Sequence, residues 1–207
     1  MELMPVILDL CGGTGSWSKS YRDAGYDVRI IDPLADGTDV RLFETPEYKV
    51  HGILAAPPCT HFAVSGARWW KGKGEEALLD GLSVVDACLR IIYATKPEWW
   101  VLENPVGRLR KYIGDYKLIF QPWEYGDPWT KRTCLWGEFS MPDRNPVDPV
   151  GQWVGGNDAN GTALGLADHF EWLPPDWVHK LPPGEDRWRL RSMTPPGFAK
   201  AFFEANP

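Results

Sequence analysis

Four short apolar runs, each ended abruptly by glycine, proline or an acidic residue, constrain the fold of this chain most strongly. They are Val6–Leu10 and residues 28–31, 52–56 and 99–102. Runs of this length bounded by turn signals are typical of strands buried inside a parallel sheet. Because ligands bind beyond the carboxyl ends of such strands, the residues that end these runs are candidate site residues.

Helical patterns separate the runs. We expect a helix from Ser16, a capping residue, to about Ala24, with Gly25 just after its end. A longer helix is predicted over residues 75–93, where apolar side chains recur every three or four positions. The members of that stripe are Ala77, Leu78, Leu82, Val85, Leu89 and Ile92. Strands that alternate with helices predict an α/β fold, a mostly parallel sheet with helices on both faces.

Length and composition exclude several classes of protein. The 207 residues are enough for one domain with its own core, and no apolar run is long enough to cross a membrane. The start of the chain lacks the pattern of a secretion signal. The cysteines show no zinc-ligand spacing, so we expect no metal site and a reducing compartment. The net charge of −6 excludes a uniformly basic nucleic-acid coat but allows a local basic groove.

The turns after the first two runs suit a ligand that contains adenosine. In Cys11-Gly12-Gly13-Thr14-Gly15-Ser16 the backbone can approach a ligand closely, because glycine has no Cβ. Asp32 follows the second run, where a carboxylate accepts hydrogen bonds from ribose hydroxyls and repels phosphate. Asp39 is placed to accept a hydrogen bond from an adenine amino group. No phosphate-binding lysine accompanies them, which favours S-adenosylmethionine over ATP or NAD; the alternative is that these are ordinary turn residues.

The other two runs end in groups that carry chemistry. Pro57-Pro58 fixes the backbone before Cys59, at the edge of the predicted sheet. A structural cysteine lies inside an element, as we expect for Cys88 on the long helix. Glu103, followed by Asn104-Pro105, brings a carboxyl group to the same edge. Both side chains are therefore candidate functional residues at the same edge of the predicted sheet.

These two motifs carry a family resemblance. Ala56-Pro57-Pro58-Cys59, followed 44 residues later by Glu103-Asn104-Pro105, resembles the cytosine-C5 DNA methyltransferases, particularly their compact phage-encoded members. Arg191-Ser192-Met193-Thr194-Pro195 is similar to a late motif of that family. The resemblance covers about residues 5–137 and again 187–206.

The resemblance implies a Rossmann-like, S-adenosylmethionine-dependent methyltransferase fold with a small irregular target-recognition region. The catalytic, cofactor-binding domain would cover 1–137, and the reduced recognition region 138–190. A C-terminal helix within 191–207 would return to the catalytic domain. Composition agrees with a change after residue 121, because 12 of 19 prolines and 7 of 12 tryptophans lie in 122–207.

It also implies a covalent mechanism. Cys59 would add to C6 of a flipped-out cytosine, and a protonated Glu103 would bind N3 and the 4-amino group. Lys131 and Arg132 would lower the pKa of the thiol. No side chain is predicted as the base that removes the C5 proton. The expected cofactor-binding residues are Asp9, Cys11, Gly12, Gly13, Gly15, Ser16, Trp17, Asp32, Pro33, Asp39, Val40 and Pro57, and the expected substrate-binding residues are Pro58, Asn104, Thr133, Arg68 and Arg191.

The sequence departs from the family pattern at two positions. The family's Gln-x-Arg-x-Arg segment is Trp129-Thr130-Lys131-Arg132-Thr133 here, with Lys131 and Thr133 at the arginine positions. The final Gly-Asn motif is reduced to Ala205-Asn206.

Basic residues follow each motif and predict a groove that faces phosphates. They are Arg68, Lys71, Lys73, Arg108, Arg110, Lys111, Lys131, Arg132, Arg187, Arg189 and Arg191. Gly72 and Gly74 predict a mobile loop over 66–74 that closes over the flipped base. In that loop, Trp69-Trp70 would either fill the vacated stack or anchor the loop. Acidic residues outnumber basic ones in 138–190, which favours a short recognition context.

We expect double-stranded DNA containing cytosine as the partner and a monomer in the cytoplasm of a bacterial or phage-infected cell. Two alternatives stay open. The small recognition region allows C5 modification of RNA or of free deoxycytidine nucleotides, and the altered Lys131-Arg132-Thr133 segment allows a non-catalytic DNA-binding decoy. A dehydrogenase is disfavoured because the dinucleotide fingerprint lacks its third glycine, where Ser18 stands.

Overall fold

The computed structural model describes residues 4–154, 171–182, 184 and 187–207. In this part of the chain one sheet has the strand order β2-β1-β3-β4-β6-β5. Its strands are β1 (Val6–Leu10), β2 (Asp27–Ile31), β3 (Val50–Ala55), β4 (Trp99–Pro105), β5 (Leu118–Phe120) and β6 (Thr133–Glu138). β1 to β4 are parallel, and β6 runs antiparallel to both of its neighbours. The predicted mostly parallel α/β fold is confirmed, as are the four predicted strands.

Helices cover both faces of this sheet. They are α1 (Lys19–Asp23), α2 (Trp70–Thr95), α3 (Arg110–Ile113) and α6 (Pro196–Ala205). Two further short helices, α4 (Trp177–Lys180) and α5 (Arg187–Ser192), pack in a separate small core. On one face α2 packs Val85, Cys88 and Ile91 against the strands, so Cys88 is a core residue as expected. On the other face α6 contributes Phe198 and Phe202. The result is a three-layer α/β/α arrangement with the strand ends left open at one edge.

The C-terminal helix α6 packs on β5 and on the segment that follows it. Phe198 stacks on Phe120 of β5, with ring centroids 3.9 Å apart. The carboxylate of Asp127 accepts a hydrogen bond from Gly197 N at 2.9 Å, which caps the start of α6. Burial raises the pKa of Asp127 to about 6, although hydrogen bonds from the backbone of Gly197 and Phe198 lower it. At the far end, Asn206 holds the backbone of Ser140 with both side-chain atoms. Asn206 therefore has a packing role in this chain.

The first predicted helix is shorter than expected. Ser16 does not cap it, since α1 begins only at Lys19. The preceding backbone has positive φ at Cys11, Gly13 and Gly15, which a right-handed helix cannot contain. The helix therefore starts where the glycine turn ends.

The predicted loop over residues 66–74 is instead helical. Residues Val64–Trp69 form a 3-10 helix, and α2 continues from it five residues earlier than the predicted start at 75. Gly74, with φ of +77°, interrupts α2 without ending it. Trp70 is half-buried at the start of α2, whereas Trp69 is 59% exposed. Of the two alternatives, the anchoring role fits Trp70, and Trp69 faces solvent.

A second small core follows β6. A two-stranded antiparallel sheet joins β7 (Gln152–Val154) to β8 (Glu171–Leu173). Its neighbours α4 and α5 bury Trp177, Leu181 and Leu190 against Trp129. Residues 155–170, 183 and 185–186 of the predicted recognition region lie outside the described residues. Among the residues described, no helix combines the length and apolarity needed to cross a membrane.

Candidate active site

The carboxyl ends of the parallel strands bring the predicted motifs to one edge of the sheet. The glycine turn follows β1, Asp32 follows β2, and the Pro57-Pro58-Cys59 segment follows β3. Glu103 and Asn104 lie near the carboxyl end of β4, the strand that pairs with β3. This shared edge is where open parallel sheets bind ligands.

A buried hydrogen bond joins the motif that contains Cys59 to the motif that contains Glu103. Nδ2 of Asn104 donates to the carbonyl oxygen of Pro57 at 2.8 Å, although the residues are 47 positions apart. Asn104 is fully buried, and its Oδ1 has no partner among the described residues. The bond fixes the backbone just before Cys59 against the strand that carries Glu103. Asn104 thus has a structural contact in addition to its expected role toward substrate.

Two cations brace the turn that presents Cys59. Residues Cys59–His61 form a 3-10 turn. Nζ of Lys73 donates to the carbonyl oxygen of Thr60 at 3.1 Å, and Nε of Arg108 donates to that of His61 at 2.7 Å. The guanidinium of Arg108 also lies 4.6 Å from the ring centroid of Trp70. Two of the predicted phosphate-facing cations are therefore used to hold this turn.

Opposing influences act on the Cys59 thiol. Cys59 is an exposed residue, yet enough protein surrounds the sulfur that desolvation is the main cause of a raised pKa. The carboxyl group of Glu103 raises the pKa further, while Lys131 and Arg191 lower it. Of the two cations expected to lower the thiol pKa, Lys131 does so and Arg132 is not among the groups that act on it, and desolvation outweighs the lowering by Lys131 and Arg191.

Glu103 has the properties of a proton donor. Burial raises the pKa of its carboxyl group, and the nearby Lys131 lowers it. A raised pKa favours the neutral form, which can donate a hydrogen bond. This agrees with the protonated state that the sequence predicted for Glu103.

The charge of Lys131 lowers the pKa of both Cys59 and Glu103, whereas Arg132 is not among the groups that act on them. Nζ of Lys131 donates to the carbonyl oxygen of Met193 at 2.9 Å. Arg132 is exposed and lowers the pKa of Cys134 instead. Thr133 is buried, and its hydroxyl donates to the carbonyl oxygen of Lys131. Lys131 is thus the predicted cation of this segment that the fold brings to the thiol.

The glycine turn rests on a buried acid. A Cβ at Gly12 would overlap the carboxyl group of Asp9, so only glycine fits there. Oδ2 of Asp9 accepts a hydrogen bond from the hydroxyl of Ser18 at 2.5 Å, and Oδ1 has no partner among the described residues. Burial raises the pKa of Asp9 to about 6. Asp9 therefore supports the turn from beneath, and its expected contact with a cofactor stays a prediction.

Asp32 is held toward the same turn. Its Oδ2 accepts a hydrogen bond from Gly13 N at 3.1 Å, and its Oδ1 accepts one from Leu34 N at 2.8 Å. Each carboxylate oxygen retains a lone pair for a second donor. The structure thus fixes Asp32 beside the glycine turn, and its role toward a ribose stays a prediction.

Asp39 is engaged in an ion pair. The guanidinium of Arg41 contacts both of its carboxylate oxygens, and the Arg41–Asp39 contact is 2.6 Å. Arg41 lowers the pKa of Asp39 and also contacts Asp80. An adenine amino group would have to share Asp39 with Arg41. The next residue, Val40, is buried in the core.

Five other expected site residues differ in exposure. Trp17 is buried in the core against Phe202, so its ring packs on α6. Pro33 and Pro58 are exposed at the strand ends, whereas Pro57 is buried. Cys11 is half-buried and adopts a φ of +58° at the start of the glycine turn. Trp17 therefore supports the turn from the core.

Two contacts of the site had no signal in the sequence. The Thr194 N–H donates to Oγ of Ser16 at 3.0 Å across 178 positions, and the side chain of Gln121 accepts from Lys131 N at 3.0 Å. Neither pair is related by a motif spacing. The resemblance at residues 191–195 marks the segment but does not predict what it touches. Among the described residues, no group of His, Cys, Asp and Glu is arranged to hold a metal ion.

The exposed cation–π pair beside the site is Arg68 over Trp69. The guanidinium carbon of Arg68 lies 5.1 Å from the Trp69 ring centroid. Both residues are exposed on the 3-10 helix that follows Cys59. Arg191 is half-buried and close enough to Cys59 to influence its pKa. Arg68 thus follows Cys59 in the sequence, whereas Arg191 lowers the pKa of its thiol.

Comparisons with known proteins find relatives that match only part of this chain. No protein-family model matches the chain. The chain is 31% identical over 121 residues to the type II methyltransferase M.AplI of Arthrospira platensis, covering 51% of this chain and 33% of the relative. It is 24% identical over 166 residues to the type II methyltransferase M.DdeI of Desulfomicrobium norvegicum, covering 61% of this chain and 38% of the relative. The chain thus spans less than two fifths of the length of these curated relatives.

A solved structure shares the fold. It is a prophage-encoded protein of E. coli described as a DNA modification methyltransferase, with a TM-score of 0.51 and 16% identity. The similarity covers 74% of this chain and 57% of that one. Methyltransferases of the relatives' type use S-adenosylmethionine as the methyl donor. The chain has a methyltransferase-like Rossmann fold, and its homologues are type II DNA methyltransferases.

Proposed function

We propose that this chain is a DNA cytosine-C5 methyltransferase that uses S-adenosylmethionine. The observation that carries the proposal is the hydrogen bond from Asn104 to the carbonyl of Pro57, which joins the Cys59 and Glu103 motifs at one sheet edge. Lys131 influences both reactive groups from the neighbouring strand end. The homology to type II methyltransferases supports the transfer of a methyl group to DNA.

The cofactor would occupy the glycine turn and the Asp32 end of β2. Asp32 would accept hydrogen bonds from the ribose, and the glycine turn would let the protein backbone approach the ligand closely. When bound, S-adenosylmethionine supplies an electrophilic methyl group on a sulfonium. Asp39 would take the adenine amino group alongside Arg41, with Val40 packed beneath it.

Cys59 would activate the target carbon. Its thiolate forms a bond to cytosine C6, and the electron pair of the C5–C6 double bond moves to C5, which becomes nucleophilic. Protonated Glu103 donates to N3 and stabilises the charge that develops on the ring. After C5 has gained its methyl group, water removes the C5 proton, the electron pair restores the double bond, and the sulfur leaves C6.

DNA would lie across the edge formed by the strand ends. Arg191 is close enough to Cys59 to act on its thiol, and Arg68 is exposed on the 3-10 helix that follows Cys59. The target base must leave the duplex to reach the thiol. We extend the proposal to the domain plan, with catalysis in 1–137, recognition in 138–190 and the returning helix α6 in 191–207. The contacts of α6 with β5 support this plan. We further propose that the chain acts as a monomer in the cytoplasm of a bacterial or phage-infected cell.

The test is the chemical identity of the methylated base. The protein is incubated with labelled S-adenosylmethionine and duplex DNA, RNA or deoxycytidine monophosphate, and the nucleosides are separated by mass spectrometry. We expect 5-methylcytosine from duplex DNA. Cys59→Ser should abolish it, and Ser65→Ala, a change of an exposed residue on the next 3-10 helix, should retain it. N4-methylcytosine or N6-methyladenine, formed equally by the Cys59→Ser variant, would overturn the proposal.

A further inference from the structure

One peptide unit joins the glycine turn to the cation beside Cys59. The N–H of Thr194 donates to Oγ of Ser16 at 3.0 Å. The carbonyl of Met193, in the same peptide bond, accepts a hydrogen bond from Nζ of Lys131 at 2.9 Å. The C=O and N–H of a trans peptide are coplanar and point in opposite directions. A tilt of this unit therefore changes both contacts together.

Ser16 is fixed from both sides. Besides the Thr194 N–H, its hydroxyl oxygen accepts a hydrogen bond from Oγ1 of Thr14 at 3.0 Å. Among the described residues no acceptor takes the hydrogen of the Ser16 hydroxyl, so it can donate to a ligand in the turn. Ser16 thus touches the ligand side of the turn and the 193–194 peptide at once.

We propose that Ser16 is a positioning residue that sets the place of the Lys131 ammonium through the Met193–Thr194 peptide. The inference rests on the proposed function in taking Cys59 as the nucleophile and the glycine turn as the cofactor site. Without the Ser16 acceptor, the peptide loses its anchor on one side. Lys131 then loses a fixed acceptor and spends less time near the thiol.

The charged groups that face Cys59 define the expected effect. They are Glu103 from β4, Lys131 from the start of β6 and Arg191 from α5. Lys131 and Arg191 favour the thiolate, and Glu103 opposes it. Displacing one of the two cations therefore raises the pH at which Cys59 becomes reactive.

The experiment measures alkylation of Cys59 and needs neither DNA nor cofactor. The full chain is treated with iodoacetamide across pH 6 to 10, and the Cys59 peptide is quantified by mass spectrometry. Ser16→Ala should slow alkylation at neutral pH by about two- to tenfold, equal to a rise in thiol pKa of up to about one unit. Lys131→Met should slow it at least as much. Ser16→Thr, which keeps the hydroxyl, should restore the original profile.

The double variant gives the decisive comparison. If Ser16 acts through Lys131, Ser16→Ala combined with Lys131→Met should match Lys131→Met alone. Ser192→Ala is the matched control, because that hydroxyl lies in the same segment and donates to the carbonyl oxygen of Arg189 within its own helix. Independent, multiplicative effects of the two changes would overturn the inference, as would a Ser16→Ala profile identical to that of the unmodified protein.

These outcomes are separate from those of the proposed function. An alkylation profile that fails to move overturns the Ser16 inference while 5-methylcytosine formation can still be observed. Absence of 5-methylcytosine overturns the proposed function while the coupling between Ser16 and Lys131 can still be measured.

Discussion

The acid beneath the glycine turn predicts a specific pH dependence of stability. Burial raises the pKa of Asp9 from 3.8 to about 6 in the folded chain. Below about pH 4 the carboxyl group is protonated in both the folded and the unfolded states. Between about pH 4 and 6 the unfolded chain loses this proton and the folded chain keeps it, so the free energy of unfolding falls. The change is about 1.4 kcal/mol per pKa unit, or about 3 kcal/mol in all.

The perturbation that isolates this group is Asp9→Asn. The amide keeps the size of the carboxyl group and an acceptor for the Ser18 hydroxyl, but it does not titrate. The difference in unfolding free energy between the variant and the parent should therefore shift by about 3 kcal/mol in favour of the variant between pH 4 and pH 7. Any constant effect of the new N–H group cancels, because only the change with pH is compared.

Urea denaturation at pH 4, 5, 6 and 7, followed by circular dichroism, measures that difference. Ser18→Ala provides a second arm: it removes the hydrogen bond that lowers the Asp9 pKa, so the pH dependence should extend to higher pH. A difference between Asp9→Asn and the parent that stays constant within about 0.5 kcal/mol from pH 4 to 7 would refute the assignment of a neutral buried acid at this position.

Three further changes test the joined motifs. Asn104→Ala should lower the unfolding free energy by about 1–3 kcal/mol in urea titrations, because the Pro57 carbonyl loses its buried donor; the exposed Asn145→Ala should change it by less than about 0.5 kcal/mol. Glu103→Gln should speed iodoacetamide alkylation of Cys59 above pH 8, because it removes a carboxylate that raises the thiol pKa. The same change should reduce 5-methylcytosine formation roughly tenfold or more, because the amide is a weaker proton donor. Gly107→Ala should destabilise the chain by about 1–3 kcal/mol or more in thermal melts, because its Cβ would overlap the carbonyl oxygen of Phe62.

The strands that carry the site could be predicted because each is a local pattern. A run such as Val6–Leu10 is entirely buried and is ended by a turn that only glycine can form. β5 and β6 were not predicted from pattern, since their place in the sheet depends on antiparallel pairing with distant β4. The start of α1 was also missed, because the positive φ at Gly13 and Gly15 depends on how Asp9 and Asp32 pack against the turn.

The members of the site could be predicted better than their balance of charge. Cys59 follows β3 and Glu103 lies near the end of the adjacent parallel strand β4, which brings them to one edge of the sheet. The cation at the thiol depends on the side chain that the turn into β6 directs inward. Lys131 is held there by Met193, while Arg132, the next residue, points to solvent. Sequence alone offered both residues, and only long-range contacts separate them.

In the proposed reaction, one protonation state serves both reactive groups. The pKa values of Cys59 and Glu103 are both raised by burial, and the Glu103 carboxylate raises that of Cys59 further. A proton on Glu103 removes this repulsion, so the thiolate forms more readily beside a neutral acid than beside a carboxylate. The same proton is the one that Glu103 must donate toward cytosine N3. Lys131 acts in the opposite sense on the acid, since its charge favours the Glu103 carboxylate while it favours the thiolate. The bond from Nζ of Lys131 to the Met193 carbonyl holds this cation in the region where it acts on both groups.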